Sequence, residues 1–595
     1  MKQQLFSALV TLLLIFSSCE NQTNHHSEVS EPDAAAVARR GNIRYDLSAF
    51  QTGYPYVPLM VSNGIVGGCF DQMGFQSTPN YGYPQGRTVF GYIRNYDRNE
   101  SSRQIQFPLA VIQAAFADGN SILNLMDCKS YSQELDIYDG VLTTKYDLYG
   151  PVSIQAFASQ SDPNLFVMKI DRNTDDPGKK IVLKINCETS KYQNNDFPWP
   201  VDPVKLNFVV EGNRVNIRSA TDLSVTNWII KTNNDISTSG SQVIIPLNNE
   251  ENIVEFFIRR DDCPGEEILE QPFEKLLAGH TDIWHDLWQK SWIDFPDARS
   301  QEIWTRMKYY ALSNFPSIPE KPMIPTGLNS NIWGFTFPQD VYYVARTLPR
   351  LGQFDRFEKA FQYWLKVLPD VQAYSKRIMG VEGAYYPWTP PFTDWDSYEK
   401  SGVVAADSYE LHNPGYVAAM VWQYYLVTRD RDFLRKYFPI LEGVCRFYTN
   451  ISSLNDQGTY DIFHKNARGQ DEASSMAGNL KNLLGASYSA QYTLRNYLLA
   501  CDLVNGYDPS LHERASRIQK AGYTRQTLLR PEGWYATYEG DDRPLNSQKH
   551  PVQLNPVAYL PMPDLAGEGS PVELAWQNRY ELTKEAKKPL TFGWT

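Results

Sequence analysis

The sequence predicts an antiparallel β-sandwich followed by an α/α toroid, and three observations carry that expectation. From about Tyr45 to Arg260 short β-branched runs alternate apolar and polar residues, as in "VSIQAFAS", "KKIVLKI" and "LNFVVEGNRVNIRS". After "DDCPGE" the apolar spacing becomes helical. From Gln301 onward long amphipathic stretches follow one another, joined by loops rich in Pro, Gly, Trp and Asp. At 595 residues the chain exceeds one ordinary domain, so a multidomain α and β protein is expected.

Each segment has its own reason. The opening "MKQQLFSALVTLLLIFSSC" places Lys2 before an apolar run that ends in Ser17, Ser18 and Cys19. That is the layout of a bacterial secretory signal, too short for an ordinary spanning helix. Small residues before a cysteine resemble a lipobox, which makes Cys19 the expected lipidation site over 1–19 and places the chain in the cell envelope, held to a membrane through a lipid anchor and facing the periplasm or the outer surface. A simple cleaved signal, giving a secreted or periplasmic protein, is the alternative. Residues 20–40 are polar and poor in core formers, and are expected to be a flexible tether. Residues 41–262 carry the sandwich strands, bounded by turn signals such as "SDPN" and "NTDDPGK". The stretch 263–300, with "EEILEQPFEKLLAGHTDIWHDLWQKSW", reads as a helical linker, and 301–595 as the helical barrel. The cysteines have no CxxC pair and mostly sit in apolar surroundings, which suits buried free thiols and gives no metal framework.

Composition narrows the function. A formal net charge of −12 excludes the basic stripe that a nucleic-acid partner requires. A load of 14 Trp, 37 Tyr and 28 Phe serves cores, and also supplies platforms on which the C–H faces of sugar rings stack. Within "GQDEASSMAGNL" the adjacent carboxylates Asp471 and Glu472 read either as a helix start, with Asp as the cap, or as a functional acid pair. No nucleotide loop, Ser-His-Asp signature or cofactor motif accompanies them.

Five further stretches resemble glycoside hydrolase family 65 and its relatives, in order along the chain: "VSNGIVGGCFD", "YSQELDIYDGVLTTKY", "HTDIWHDLWQKSWIDF", "GVEGAYYPWTPP" and "ELHNPGYVAAMVWQYYLVTRDRDFL". The resemblance implies an N-terminal β-sandwich, a helical linker and an (α/α)6 barrel. It also implies a glycosidase that needs neither metal nor cofactor and takes a carbohydrate substrate. "GQDE" stands where the family has "G-P-D-E", which makes Glu472 the general acid with Asp471 beside it. A protonated carboxyl must give its proton to the leaving oxygen, and a neighbouring carboxylate raises its pKa toward working pH. The same resemblance gives Asp340, Trp388, His412, Asp471 and Gln553 as substrate-binding residues. Glu382 and the "FTDWDSYEK" carboxylates Asp394, Asp396 and Glu399 are weaker candidates, and the general base is unassigned, with Glu573 the nearest carboxylate.

Departures from the family pattern shape the expected activity. "HPVQLNP" keeps Gln553 but has Val552 where the phosphorylases of the family have Lys, and "KKPLTFGWT" lacks their phosphate loop. Water is therefore the expected nucleophile, and the expected reaction is inverting hydrolysis of an α-glucosidic linkage in a disaccharide or short oligosaccharide. "FPQD" replaces the usual "F-W-D-T-E", so an α-L-fucosidase-type hydrolase remains open, as does a non-catalytic glycan-binding lipoprotein on the same scaffold. The apolar end "LTFGW" suggests that the barrel continues beyond residue 595.

Overall fold

A computed structural model describes residues 33–51, 56–76, 90–93, 106–119, 123–189, 203–221, 225–259, 265–321, 323, 336–388, 390, 395, 410–465, 467–470, 480–548 and 550–585. The N-terminal region forms two large antiparallel sheets. The first has nine strands, in the spatial order Ile43–Asp46, Ser130–Asp136, Val141–Asp147, Pro151–Ala158, Leu165–Arg172, Glu251–Arg259, Val225–Thr232, Arg214–Ala220 and Lys205–Glu211. The second has seven: Ser237–Ser239, Gln242–Pro246, Ile181–Asn186, Gln106–Phe116, Phe90–Ile93, Val66–Phe70 and Leu59–Ser62. The alternation in the sequence becomes alternation of burial: in Ser130–Asp136 the residues Tyr131, Gln133 and Leu135 point inward while their neighbours face out. The sheets meet face to face, with Phe70 of one stacked on Phe166 of the other at 5.5 Å.

The C-terminal region is helical. Its long elements are Ala298–Asn314, Phe354–Lys366, Asn413–Thr428, Arg431–Asn450, Leu484–Cys501, Pro509–Ala521 and Pro571–Glu585, with the shorter Pro338–Ala345 among them. Asp430 and Asp508 cap two of these helices, each accepting two backbone N–H groups of the first turn. The Asn413–Thr428 helix is apolar on all sides, and every residue from Asn413 to Tyr425 is buried. It contacts Pro338–Ala345, Arg431–Asn450 and Leu484–Cys501, so it forms the inside of the helical region. Gly415 permits a close approach to the Leu484–Cys501 helix, since a Cβ there would lie 2.4 Å from the Ser489 side chain.

The linker helix, Phe273–Gln289, joins the two halves by burying one face against both. Trp288 donates its indole N–H to the Ile137 carbonyl of the sandwich at 2.8 Å. Trp284 stacks at 5.1 Å on Tyr309 of the helical region, whose hydroxyl donates to the Met60 carbonyl at 3.1 Å. The buried Lys308 ammonium donates to the carbonyls of Trp288 and Ser291 at the end of the same helix. Arg356, also buried, donates to the Leu312 carbonyl at 2.7 Å and reaches across to Gln160 of the sandwich at 2.5 Å. Gly140, at φ +69°, turns directly beneath Trp284, and a Cβ there would lie 2.0 Å from the indole nitrogen.

The flexible tether expected over 20–40 does not extend over residues 34–39, which are helical and packed. Ala34–Arg39 is a helix whose residues Ala34, Val37 and Ala38 are buried. Asp33 caps it through Ala36 N–H, and Arg39 pairs with Asp136 and Asp139. Three small apolar residues on one face suffice when a preformed groove receives them, which a count of core formers overlooks. Residues 20–32 and Cys19 lie outside the described residues. Of the described cysteines, Cys128, Cys187, Cys445 and Cys501 are free thiols, and Cys69, Cys187, Cys445 and Cys501 are buried.

Two predictions follow from the linker seam. Gly140→Ala should lower stability by about 2–4 kcal/mol, through backbone strain and displacement of the indole, read as a reduced urea midpoint. His280, buried in the linker helix, accepts the Gln160 N–H on Nδ1 at 3.2 Å and donates from Nε2 to the Gly140 carbonyl at 3.2 Å, and burial pushes its pKa down to about 4. Between pH 6.5 and 4 the unfolded chain binds a proton that the folded chain refuses. The contribution is therefore fully present above pH 6.5, and about 3 kcal/mol of it is lost as pH falls to 4. The melting temperature of His280→Gln should accordingly fall less than that of the parent protein between pH 7 and 4.5, and equal falls would refute the assignment.

Candidate active site

Several helix starts converge on one end of the helical region, around Gln470. The Pro338–Ala345 helix begins with Gln339 and Asp340 in its first turn, and the Asn413–Thr428 helix begins just after Glu410 and His412. The Leu484–Cys501 helix starts against Gln470, because a Cβ on Gly485 would lie 2.7 Å from Gln470 Oε1. The short Asn555–Ala558 helix supplies Asn555. Helix starts thus gather where Asp340 and Glu410 sit.

The side chains form two connected sets. In the first, His412 Nε2 lies 2.8 Å from Gln339 Oε1 and 3.5 Å from Glu410 Oε2. Both neighbours accept, so Nε2 carries the proton. Glu410 Oε2 also accepts from Asn413 Nδ2 at 2.8 Å, and all four residues are buried. In the second, Gln470 Nε2 donates to the hydroxyls of Tyr416 at 3.0 Å and Tyr343 at 3.4 Å, while Gln470 Oε1 accepts from Asn555 Nδ2 at 2.9 Å. Tyr343 stacks on Tyr559 at 4.1 Å. The sets join through the His412 and Tyr416 rings, edge to face at 6.1 Å, and through a backbone bridge between Glu410 and Arg468. Burial first, with the nearby Asp340 charge adding to it, pushes the phenol pKa values of Tyr343 and Tyr416 up and that of Tyr559 up to about 12. The phenols therefore stay neutral donors at working pH. The cluster thus brings together amides, phenols, an imidazole and carboxylates, the donor and acceptor types that polyhydroxyl ligands engage.

The residues expected from sequence are placed as follows. Asp340 and His412 stand in the cluster. Trp388 is half-buried and stacks on Phe337 at 5.9 Å, one residue before the helix that carries Gln339 and Asp340. Gln553 is buried, with its Nε2 donating to the Tyr535 carbonyl at 3.0 Å and to Gln548 Oε1 at 2.9 Å. Asp471 and Glu472 lie outside the described residues, as do Asp394, Asp396 and Glu399. Gln470 holds the chain one residue before the acid pair. Glu382 makes an exposed ion pair with Lys376, and Glu573 accepts the Gly569 N–H at 2.5 Å just ahead of its own helix. Among the described residues no group of three His, Cys, Asp or Glu side chains is arranged to hold a metal ion.

Gln339, Glu410, Asn413 and Gln470 are cluster members that sequence reading alone does not single out. The available signal was position. A polar residue at the start of a helix apolar on every side can only be accommodated at that helix end, together with other polar groups.

A β-sandwich joined by a linker helix to a helical unit, with a buried polar cluster at helix starts, defines a protein of the sandwich-plus-helical class. Within it, residues 334–560 match the mannosylglycerate hydrolase MGH1-like glycoside hydrolase domain. A kojibiose hydrolase of Flavobacterium johnsoniae is 29% identical over 238 residues, 39% of this chain and 33% of that protein. A kojibiose phosphorylase of Halothermothrix orenii is 25% identical over 225 residues, 35% of this chain and 28% of that protein. A kojibiose hydrolase of Mucilaginibacter mallensis is 24% identical over 272 residues, 45% of this chain and 37% of that protein. The matched segments span about a third of the length of these curated relatives. A solved structure from the human microbiome, provisionally described as a kojibiose phosphorylase, superposes with a TM-score of 0.63 at 13% identity, covering 94% of this chain and 81% of that one. It supports the fold of both halves.

Replacing His412 with Phe should leave Gln339 Oε1 and the Glu410 carboxylate short of a donor. The expected cost is about 2 kcal/mol, read as a lowered urea midpoint. An unchanged midpoint would show that the imidazole does not tie the two helix starts together.

Proposed function

We propose that the chain is a glycoside hydrolase of the kojibiose hydrolase type, which cleaves an α-glucosidic linkage in a disaccharide with inversion. The observation that carries the reading is the buried polar cluster around Gln470, inside the stretch that matches a glycoside hydrolase domain. Glu472 acts as the general acid, one residue beyond Asp471, and protonates the leaving oxygen. Asp340, His412 and the neighbouring amides orient the sugar hydroxyls, and Trp388 offers an aromatic face. Gln553 supports the site from behind through Gln548 and the Tyr535 carbonyl. In inverting enzymes the carboxylate that activates water stands roughly 6.5–9.5 Å from the acid.

Water is preferred to phosphate as nucleophile because Val552 occupies the place of the phosphorylase lysine, and it is buried and apolar. Two of the three quoted relatives are hydrolases and one is a phosphorylase, so the choice rests on this side chain and not on the relatives. The helical region is read as the (α/α)6 toroid of this class. Export and lipid anchoring at Cys19 follow from the leader sequence, which would place the site outside the cytoplasm.

Proton NMR of the purified protein with kojibiose, with and without phosphate, tests the reading. Release of β-glucose without phosphate, lowered at least about a thousandfold in Glu472→Gln, is the expected outcome. Turnover that requires phosphate and yields a glucose phosphate would overturn hydrolysis. An initial burst of α-glucose beyond the share carried by the reducing-end glucose of kojibiose would overturn inversion.

A further inference from the structure

On the outward face of the nine-stranded sheet, Ser132, Lys145, Ser153, Asp171 and Glu251 stand side by side across five adjacent strands, because each is the register partner of the next. Ser130, Asp147 and Pro151 form a second, parallel row one pleat away. Side chains on one face recur every second residue, so the two rows are neighbours and both point away from the sandwich core. Together they floor a groove of about 840 Å³, within the range of small-molecule sites. Elsewhere on this face charge is matched locally: Arg44 pairs with Glu134 at 2.8 Å and Lys169 with Glu251 at 2.6 Å. In the groove it is not. Among the described residues, no hydrogen bond or ion pair engages the side chains of Ser130, Ser132, Lys145, Ser153 or Asp171. Ser153 stands between Lys145 and Asp171, whose backbones the strand spacing holds two intervals, about 9.6 Å, apart. A donor, a hydroxyl and an acceptor thus lie in line, each able to form bonds that it does not make inside the protein. Burial raises the Asp171 pKa above the usual carboxylate value, opposed by Lys169 and assisted by Glu251, so the groove floor is partly shielded from water.

The chemistry of the groove selects its ligand. Asp147, Asp171, Glu250 and Glu251 outnumber Lys145 there, so an anion is repelled. Among the described lining residues that face outward, Pro151 alone is apolar, since Val152 turns into the core. A peptide would therefore find no pocket for an apolar anchor. A neutral molecule with hydroxyls along its length fits, because a hydroxyl donates to a carboxylate, accepts from an ammonium and does either with a serine. We propose that this groove is a second carbohydrate-binding site, carried by the sandwich and separate from the cluster around Gln470, and that it holds a short stretch of a neutral glucan chain. The inference does not depend on the reaction assigned to that cluster, because binding is read without turnover.

Native electrophoresis through gels containing dissolved dextran, soluble starch or mixed-linkage β-glucan tests this, with carboxymethylcellulose as the anionic comparison and a glucan-free gel as the reference for mobility. The parent protein should be retarded by at least one neutral glucan and not by the anionic one. Ser153→Arg fills the middle of the groove, and the double variant Lys145→Ala with Asp171→Ala removes its charged donor and acceptor. Each should weaken association at least about tenfold, read from mobility against glucan concentration. Asp340→Asn, in the helical cluster, should be retarded like the parent. Ser132→Arg obstructs the same groove from another strand and carries the test if Ser153→Arg does not fold, judged by circular dichroism and melting temperature. A parent protein that no neutral glucan retards would overturn the proposal. Retardation that survives the groove variants would overturn it too, and its loss in Asp340→Asn would place the sugar at the cluster instead. Stronger retardation by carboxymethylcellulose than by any neutral glucan would overturn the class of ligand.

Discussion

The Asn413–Thr428 helix has no polar face, and that constraint organises the helical region. A helix buried all round must be surrounded by other helices, and its polar residues can only be satisfied at its ends or by neighbours that come to meet them. Its beginning therefore collects the Glu410, His412 and Asn413 side chains, and Tyr416 one turn further in. Gly415 sets how near the Leu484–Cys501 helix approaches, which in turn brings Gly485 up against Gln470. The polar cluster is thus a consequence of where an apolar rod ends. Within a medium of low effective dielectric its hydrogen bonds are strong, and for the same reason each must be made.

Much of this plan is visible in the sequence, for identifiable reasons. The sandwich is legible because its strands keep one face dry, so burial of period two is written directly as residue type, as in Ser130–Asp136. The linker helix is legible because Leu276, His280, Trp284 and Leu287 recur at helical spacing. Asp340 and His412 are reached through the family resemblance, since nothing in their local composition marks them. Gln470 escapes notice because its importance is not local. Its three partners lie between 54 and 127 residues away, and only the folded chain brings them together. The helix at Ala34–Arg39 escapes for a similar reason: three small residues are a weak signal until a groove exists to receive them.

The two halves contribute differently. The sandwich is a rigid block whose turn at Gly140 and neighbouring Ile137 carbonyl form the seat for the linker's indoles. The helical region supplies the cluster, but its first helix is tied to the sandwich through Tyr309 and the Met60 carbonyl. Arg356 ties a later helix to Gln160 in the same way. Buried charged or phenolic groups that end on carbonyls or an amide across a seam are costly to separate, because opening the seam leaves each without a partner.

The linker helix consequently belongs to neither half. One of its indoles ends on a sandwich carbonyl, and its final carbonyls end on Lys308 of the helical region. A recombination event that joined this sandwich to a foreign helical unit, with its crossover at either end of Phe273–Gln289, would strand a buried donor or a buried ammonium. The unit that can be inherited or transplanted whole is the sandwich, the linker and the chain through the Phe354–Lys366 helix together. Exchange of substrate-recognising parts among such proteins would then have to occur further along the chain, beyond the helix that carries Arg356.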